Sequence, residues 1–281
     1  MIYFLYISGR VLRDFGDLLL TAFLPETPLF IINILMVAVS VYVLYLGIEV
    51  LARTGEFYFF ILLLVGLSLN ILIFFSNIID LTNLLPLLED GWKNVLMTTF
   101  PKVFTFPFGE MIVFTMLLPY LNKQSSALKV GVISILLSGI LISFTIEMNL
   151  AVLGADITAR SQFPLLTTVG KIRVMEFLER LDALAVVILV IGMFFKISIF
   201  MYAGILGIKN LFKLAKHQEL VIPIGIVTLF CSITMAGNIT EHKKEGIEVV
   251  PLYLHLPFQV GIPIVLFIIT LIRKKLSKSN H

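Results

Sequence analysis

The sequence has little charge, one cysteine and four histidines, and each shortage argues against a class of protein. Asp, Glu, Lys and Arg make up 14% of the 281 residues, whereas soluble domains carry about 25%. Cys231 has no second cysteine to pair with in this chain, and the histidines show no metal-ligand spacing. No phosphate-binding loop, nucleophile elbow or paired-histidine zinc motif is present. We therefore expect no enzyme, no cofactor, no metal site and no nucleic-acid partner.

Apolar residues are abundant instead, and they occur in long runs. They form 59% of the chain, and the mean hydropathy is +1.03. A helix needs about 20 apolar residues to cross a hydrocarbon core of about 30 Å. The sequence predicts an all-α polytopic helix bundle in the lipid bilayer, a single integral membrane domain over residues 1–281. Its eight expected spans lie near 1–23, 28–51, 57–77, 104–121, 129–151, 182–207, 219–237 and 254–272.

The distribution of basic residues predicts the orientation of these spans. Arg273, Lys274 and Lys275 follow the last span, and short cytoplasmic loops carry an excess of Lys and Arg. An even number of spans puts both ends of the chain on one side. We therefore expect both termini to be cytoplasmic.

The segment Phe106-Pro107-Phe108-Gly109-Glu110 interrupts one apolar run with a proline, a glycine and a carboxylate. Backbone groups in lipid must be satisfied internally, so such a break is tolerated only where protein or water covers it. The freed N–H groups would suit an anion such as the carboxylate of an amino acid. Phe104, Phe106 and Phe108 could form an apolar wall beside them. The predicted substrate-binding residues are Phe104, Phe106, Pro107, Phe108, Gly109 and Glu110.

Glu110 has several possible roles, and the sequence does not choose among them. Its carboxylate could bind an ammonium group, take up a proton during transport, or pair with a basic residue of another span. It could equally be a neutral side chain bonded to a backbone carbonyl in a kinked helix.

Two further groups of ionisable residues lie inside predicted spans. Arg10 with Asp14, and Arg13 with Asp17, stand four residues apart and can pair along the first helix. Lys196 lies deep in a later span, where burial would favour its neutral form or where its stem would extend to the interface. We predict either a charge-paired helix face or, with Glu110, a proton or charge relay.

Four strings in order give the chain a family resemblance. They are Leu24-Pro25-Glu26-Thr27-Pro28, Gly47-Ile48-Glu49-Val50-Leu51-Ala52-Arg53, Phe106-Pro107-Phe108-Gly109-Glu110 and Phe177-Leu178-Glu179-Arg180-Leu181-Asp182. Together they resemble the permease-like B subunits of bacterial spore germinant receptors, a branch of the amino acid–polyamine–organocation transporter superfamily. The resemblance covers nearly the whole chain.

The resemblance implies a fold, partners and a location. The family fold has ten spans in two inverted five-helix repeats, with ligand held at unwound parts of the first and sixth helices. Family members act with A and C subunits in the inner membrane of the spore, where a nutrient such as an amino acid triggers germination. Residues 106–110 would fall in the sixth helix, the first span here would be the third, and Lys196 would lie in the eighth.

Eight spans leave no place for the first two family helices, so the sequence predicts a chain shortened at its N-terminus. Three functions follow as expectations. The first is a nutrient-sensing B subunit of a germinant receptor. The second is a proton-coupled amino acid transporter of the same superfamily. The third is a non-functional truncated fragment that binds no ligand.

Overall fold

The chain is almost entirely helical. A computed structural model describes residues 1–89, 91–172 and 181–279, and within these ranges it contains no β-strand; 85% is helix. The expected all-α class is confirmed. The α-helices are α1 (Ile2–Ala22), α2 (Leu29–Leu46), α3 (Ile48–Phe75), α4 (Gly91–Thr98), α5 (Ala127–Arg160), α6 (Pro164–Val169), α7 (Asp182–Phe212), α8 (Gln218–Thr234), α9 (Ile239–Lys244) and α10 (Ile262–Ser279).

Short 3-10 and π-helical segments lie between these α-helices. The 3-10 helices are Leu81–Leu84, Phe108–Met116, Leu118–Tyr120 and Gln124–Ser126. Segments of π-helix cover Thr99–Val103, Glu245–Val249, Pro251–His255 and Pro257–Gly261.

Five helices of the described residues are long and apolar enough to cross a membrane, or six if α8 and the helix after it count as one broken span. The five are Leu29–Leu46, Ile48–Phe75, Gln124–Arg160, Asp182–Phe212 and Pro251–Lys275. The chain is therefore an integral membrane protein, but the expected count of eight spans is not confirmed. The predicted span 1–23 forms α1, which carries four charged residues, and the predicted span 104–121 is divided into short helical segments.

A glycine places one boundary differently from the prediction. Gly47 has φ +108°, a conformation that L-residues with a side chain rarely adopt, and it ends α2. Helix α3 begins at the next residue, so Glu49 lies in its first turn rather than at the end of the preceding span, and Arg53 lies in its second turn rather than in a loop. Their side chains pair at 2.8 Å along the helix. The predicted limits 28–51 and 57–77 are therefore wrong at this junction.

The chain divides into two compact units. The larger unit contains Met1–Leu87 and Leu121–Thr234, and the smaller one contains Leu88–Tyr120 and Met235–His281. The single membrane domain over residues 1–281 stays a prediction.

Helix α1 lies inside the larger unit, although it is the most charged of the predicted spans. It packs along α7 and α8, and most of its residues from Tyr3 to Leu18 are buried. The ring of Phe4 lies 6.1 Å from that of Phe200, and the Ser8 hydroxyl donates to the Ile197 carbonyl at 3.2 Å. Later residues of α1 therefore contact earlier residues of α7, which means that the two helices run antiparallel.

Helix α5 is broken near its end at Gly154, where φ is +78°. The break leaves helix carbonyls without helical partners, and backbone and side-chain donors from elsewhere in the larger unit bond to them. The Asp80 N–H and the Asn83 amide both donate to the Ala151 carbonyl at 3.0 Å. The Lys171 ammonium donates to the Val152 carbonyl at 3.2 Å. The bonds from Asp80 and Asn83 hold the connection after α3 against α5, and the bond from Lys171 holds the segment after α6 against it.

Candidate functional site

The predicted break around Pro107 is present in the structure, and it begins earlier than the sequence suggested. Phe100 has extended φ and ψ of −116° and 121° inside the π-helical segment Thr99–Val103. A short helical stretch follows, and the backbone then changes to the 3-10 helix Phe108–Met116. The Thr105 hydroxyl is buried and donates to the carbonyls of Pro101 and Lys102, at 2.8 and 3.1 Å. We call residues 99–116 the broken segment.

Glu110 is the buried carboxylate of the broken segment. It lies in the first turn of the 3-10 helix and is 7% exposed. Its N–H donates to the Pro107 carbonyl at 3.3 Å. Burying a carboxyl group is unfavourable unless it is neutral, paired or used, so its position favours a functional or pairing role.

The predicted aromatic wall is less enclosed than its sequence suggested. Phe104 and Phe106 are exposed, while Pro107, Phe108 and Gly109 are half-buried. The Phe104 ring lies against Phe100, with 5.5 Å between ring centroids. The predicted substrate-binding role of Phe104, Phe106, Pro107, Phe108, Gly109 and Glu110 stays a prediction.

The ion pair between Arg13 and Asp17 that the sequence suggested on α1 is present. Arg13 and Asp17 form a buried pair, with 3.0 Å between Nε and Oδ2. Arg10 is also buried, and its guanidinium donates to the Tyr6 hydroxyl at 3.3 Å and lies 5.9 Å from the centre of that ring. Asp14 is half-buried on the same helix. Helix α1 thus carries its charges into the larger unit by satisfying them locally.

The structure places Lys196 on the helix that packs against α1, next to the residue that contacts Ser8. Lys196 is half-buried on α7, and its neighbour Ile197 accepts the hydrogen bond from Ser8 of α1. Two of the three predicted ionisable groups therefore belong to one antiparallel helix pair of the larger unit. Glu110 belongs to the smaller unit.

Several buried polar residues were missed by reasoning from the sequence. In the larger unit, the Asn33 amide donates to the Ser232 hydroxyl at 3.0 Å between α2 and α8. In the smaller unit, His242 and His255 are buried. Polar residues inside apolar windows are the signal that could have marked them. Among the described residues, no three His, Cys, Asp or Glu side chains are grouped to hold a metal ion.

Comparison with known proteins agrees with the resemblance carried by the motifs. A sequence model of the spore germination protein family matches residues 1–240. The chain is 45% identical to spore germination protein KB of Bacillus subtilis (strain 168) over 275 residues, which cover 98% of this chain and 74% of that protein. It is 23% identical to spore germination protein XB of Bacillus anthracis over 84% of this chain and 65% of that protein. It is 25% identical to spore germination protein YndE of Bacillus subtilis (strain 168) over 75% of this chain and 57% of that protein.

The chain thus spans about three quarters of the length of protein KB and less than two thirds of the length of the other two. No solved structure matches it. The expected family is confirmed: this chain belongs to the spore germination protein family of permease-like membrane proteins.

Proposed function

We propose that this chain is the permease-like B subunit of a spore germinant receptor, and that it senses a small nutrient such as an amino acid. The observation that carries the proposal is the broken segment, in which Glu110 is buried beside an interruption of the helix. Irregular backbone at membrane depth is the usual construction of substrate sites in transporters. Membership of a spore germination family supports the assignment of this site to a germinant receptor rather than to another kind of transporter.

In this proposal the broken segment corresponds to the sixth helix of a ten-span fold of two inverted repeats. The chain would act with A and C subunits in the inner membrane of the spore, with both termini in the cytoplasm. Glu110 would receive the ammonium group of the nutrient, and the backbone near Pro107 and Gly109 would receive its carboxylate. The phenylalanines at 104, 106 and 108 would border the ligand.

Replacement of Glu110 by Gln tests this function because the two side chains have the same shape. The gene is exchanged at its own locus, and nutrient-triggered germination is followed by the fall in optical density of the spores. A lost charge-assisted hydrogen bond of about 1.5–3 kcal/mol raises the half-saturating nutrient concentration by about ten- to 150-fold.

The matched control is Glu49→Gln on α3, where the carboxylate is exposed and paired with Arg53. We expect it to germinate as the wild type. Subunit abundance and germination by a receptor-independent trigger should be unchanged in both variants. An unchanged nutrient response in the Glu110 variant would contradict the proposed site.

A proton-coupled amino acid transporter is the second candidate, favoured by the presence of Lys196 and the α1 charges on one pair of packed helices, α1 and α7. In that case the purified chain in proteoliposomes should take up a labelled amino acid when a pH gradient is imposed. Lys196→Met should abolish that uptake. A receptor subunit that only senses its ligand would bind the amino acid without accumulating it.

A further inference from the structure

The last predicted span begins with unusual winding. The sequence predicts an apolar span at 254–272, but Pro251–His255 and Pro257–Gly261 are π-helical, and α10 starts only at Ile262. Each of these two segments starts at a proline, which has no N–H to continue the α-helical ladder. π-Helical turns are frequent at functional sites, since they change which side chains face a neighbour.

Within the smaller unit, this π-helical stretch packs against the broken segment. The contact is closest between Gly109 and Gln259. A Cβ atom at Gly109 would lie 2.8 Å from the Gln259 Cδ and 3.2 Å from the Phe104 carbonyl oxygen, and it would collide with the Gln259 Oε1. Only glycine leaves room for the carboxamide at this point. The Gln259 Oε1 itself is buried.

Apart from His242 on α9, the buried polar side chains described in the smaller unit lie on these two irregular stretches. Thr105 and Glu110 are buried on the broken segment, and His255 is buried on the π-helical stretch four residues before Gln259. Thr105 satisfies its hydroxyl with carbonyls of its own segment. Buried polar side chains in a membrane protein are unfavourable and mark binding sites or pathways. The Gln259 carboxamide lies against the residue next to Glu110.

We propose that Gln259 is a specificity-determining residue, whose side-chain amide hydrogen-bonds the carboxylate of the nutrient beside Glu110. This inference rests on the proposed function and names a residue of the same site. Glu110 binds the ammonium group of the ligand, and the Gln259 carboxamide over Gly109 hydrogen-bonds its carboxylate. Because a hydrogen bond to a carboxylate is stronger than one to a neutral carbonyl, such a site selects amino acids over amines and, by a smaller margin, over amino acid amides.

The test compares an effective amino acid with its amide. The standard L-amino acids are screened singly on wild-type spores, and the effective one is then compared with its carboxamide derivative, for example L-alanine with L-alaninamide. Gln259→Met keeps the length of the side chain and removes its hydrogen bonds. We expect the half-saturating concentration of the amino acid to rise about tenfold. The response to the amide should change much less.

A second pair of variants tests the contact itself. Gly109→Ala should abolish the nutrient response because the new methyl group displaces the carboxamide. Gly109→Ala combined with Gln259→Ala should recover part of it, since the double variant relieves the collision. The matched controls are Gly131→Ala, where a Cβ meets nothing within 4 Å, and Gln124→Met in the exposed turn before α5. Both should respond as the wild type.

The outcomes separate the two proposals. Equal sensitivity of amino acid and amide to Gln259→Met, or no change with either, overturns the role of Gln259 while the Glu110 result still supports the site. A wild-type response to Gly109→Ala spores overturns it as well. Failure of wild-type spores to respond to any amino acid, or an unchanged response after deletion of the gene, overturns the proposed function and this inference with it.

Discussion

Removal of the Asp17 carboxylate should destabilise the protein far more than removal of a carboxylate in the same kind of pair on the surface. Arg13 and Asp17 pair at 3.0 Å with side chains only 6% and 7% exposed, on a helix packed against α7 and α8. Asp17→Asn preserves the shape and leaves the Arg13 guanidinium without its carboxylate. Breaking a buried pair in this way costs about 3–5 kcal/mol. We expect about 3 kcal/mol, the lower end of this range, because the carbonyl of the new Asn side chain can still accept a hydrogen bond from the guanidinium.

The chain contains its own control for the effect of burial. Glu49 and Arg53 also stand four residues apart and pair at 2.8 Å, but their side chains are 74% and 77% exposed. Such surface pairs contribute about 0.3–0.5 kcal/mol. Glu49→Gln should therefore change the free energy of unfolding by less than 1 kcal/mol.

The measurement is unfolding of the purified protein in mild detergent, with helicity followed by circular dichroism. A third variant, Arg13→Met with Asp17→Leu, removes both charges and should regain most of the lost stability, because well-packed apolar residues often replace a buried pair without loss. If Asp17→Asn and Glu49→Gln differ by less than about 0.5 kcal/mol, burial does not set the strength of this pair, and the reasoning is refuted.

Two other predictions follow from local geometry. A Cβ at Gly204 of α7 would lie 2.8 Å from the Cγ of Leu5 on α1, so Gly204→Ala should destabilise the α1–α7 contact by about 1–3 kcal/mol. Gly192→Ala on the same helix meets nothing within 4 Å and should be neutral or stabilising in the same unfolding assay. The pKa of Asp80 lies below its usual value because the Thr82 hydroxyl (2.6 Å) and then the Thr82 N–H (2.9 Å) donate to it. The stabilisation from these two hydrogen bonds is fully present above the unfolded-state pKa and is lost as pH falls through the lower folded-state pKa. Thr82→Val removes the hydroxyl donor and should therefore raise the Asp80 pKa, which is measured by carbon NMR.

The membrane class, the helical content and the family could all be read from the sequence. A long apolar run in lipid forms a helix because its backbone N–H and C=O groups must then hydrogen-bond to each other rather than to water. The interruption near Pro107 and Gly109 was also predictable, since those residue types disturb helices wherever they occur. The i,i+4 spacing of Arg13 and Asp17 likewise predicted a pair that the structure contains.

The helix boundary at Gly47 and the π-helical turns of the last span were harder to predict from the sequence. A glycine inside an apolar run is compatible with a continuous helix or with a positive φ, and only the packing of α2 and α3 selects between them. Prolines at 251 and 257 indicate a disturbed helix, but α-helical kinks and π-helical turns have the same local sequence. The predicted spans therefore differ from the helices mainly at such residues.

The sequence by itself determined where apolar helices form and which residue types interrupt them, because these follow from local hydrogen bonding and from transfer to lipid. Only the tertiary structure decided that α1, with its buried charges, packs against α7 and α8, and that Lys196 lies on one of these partner helices. It also decided that the Gln259 carboxamide occupies the space over Gly109. Those two residues are 150 positions apart. No local pattern encodes such a meeting, since it depends on the packing of separate segments against each other.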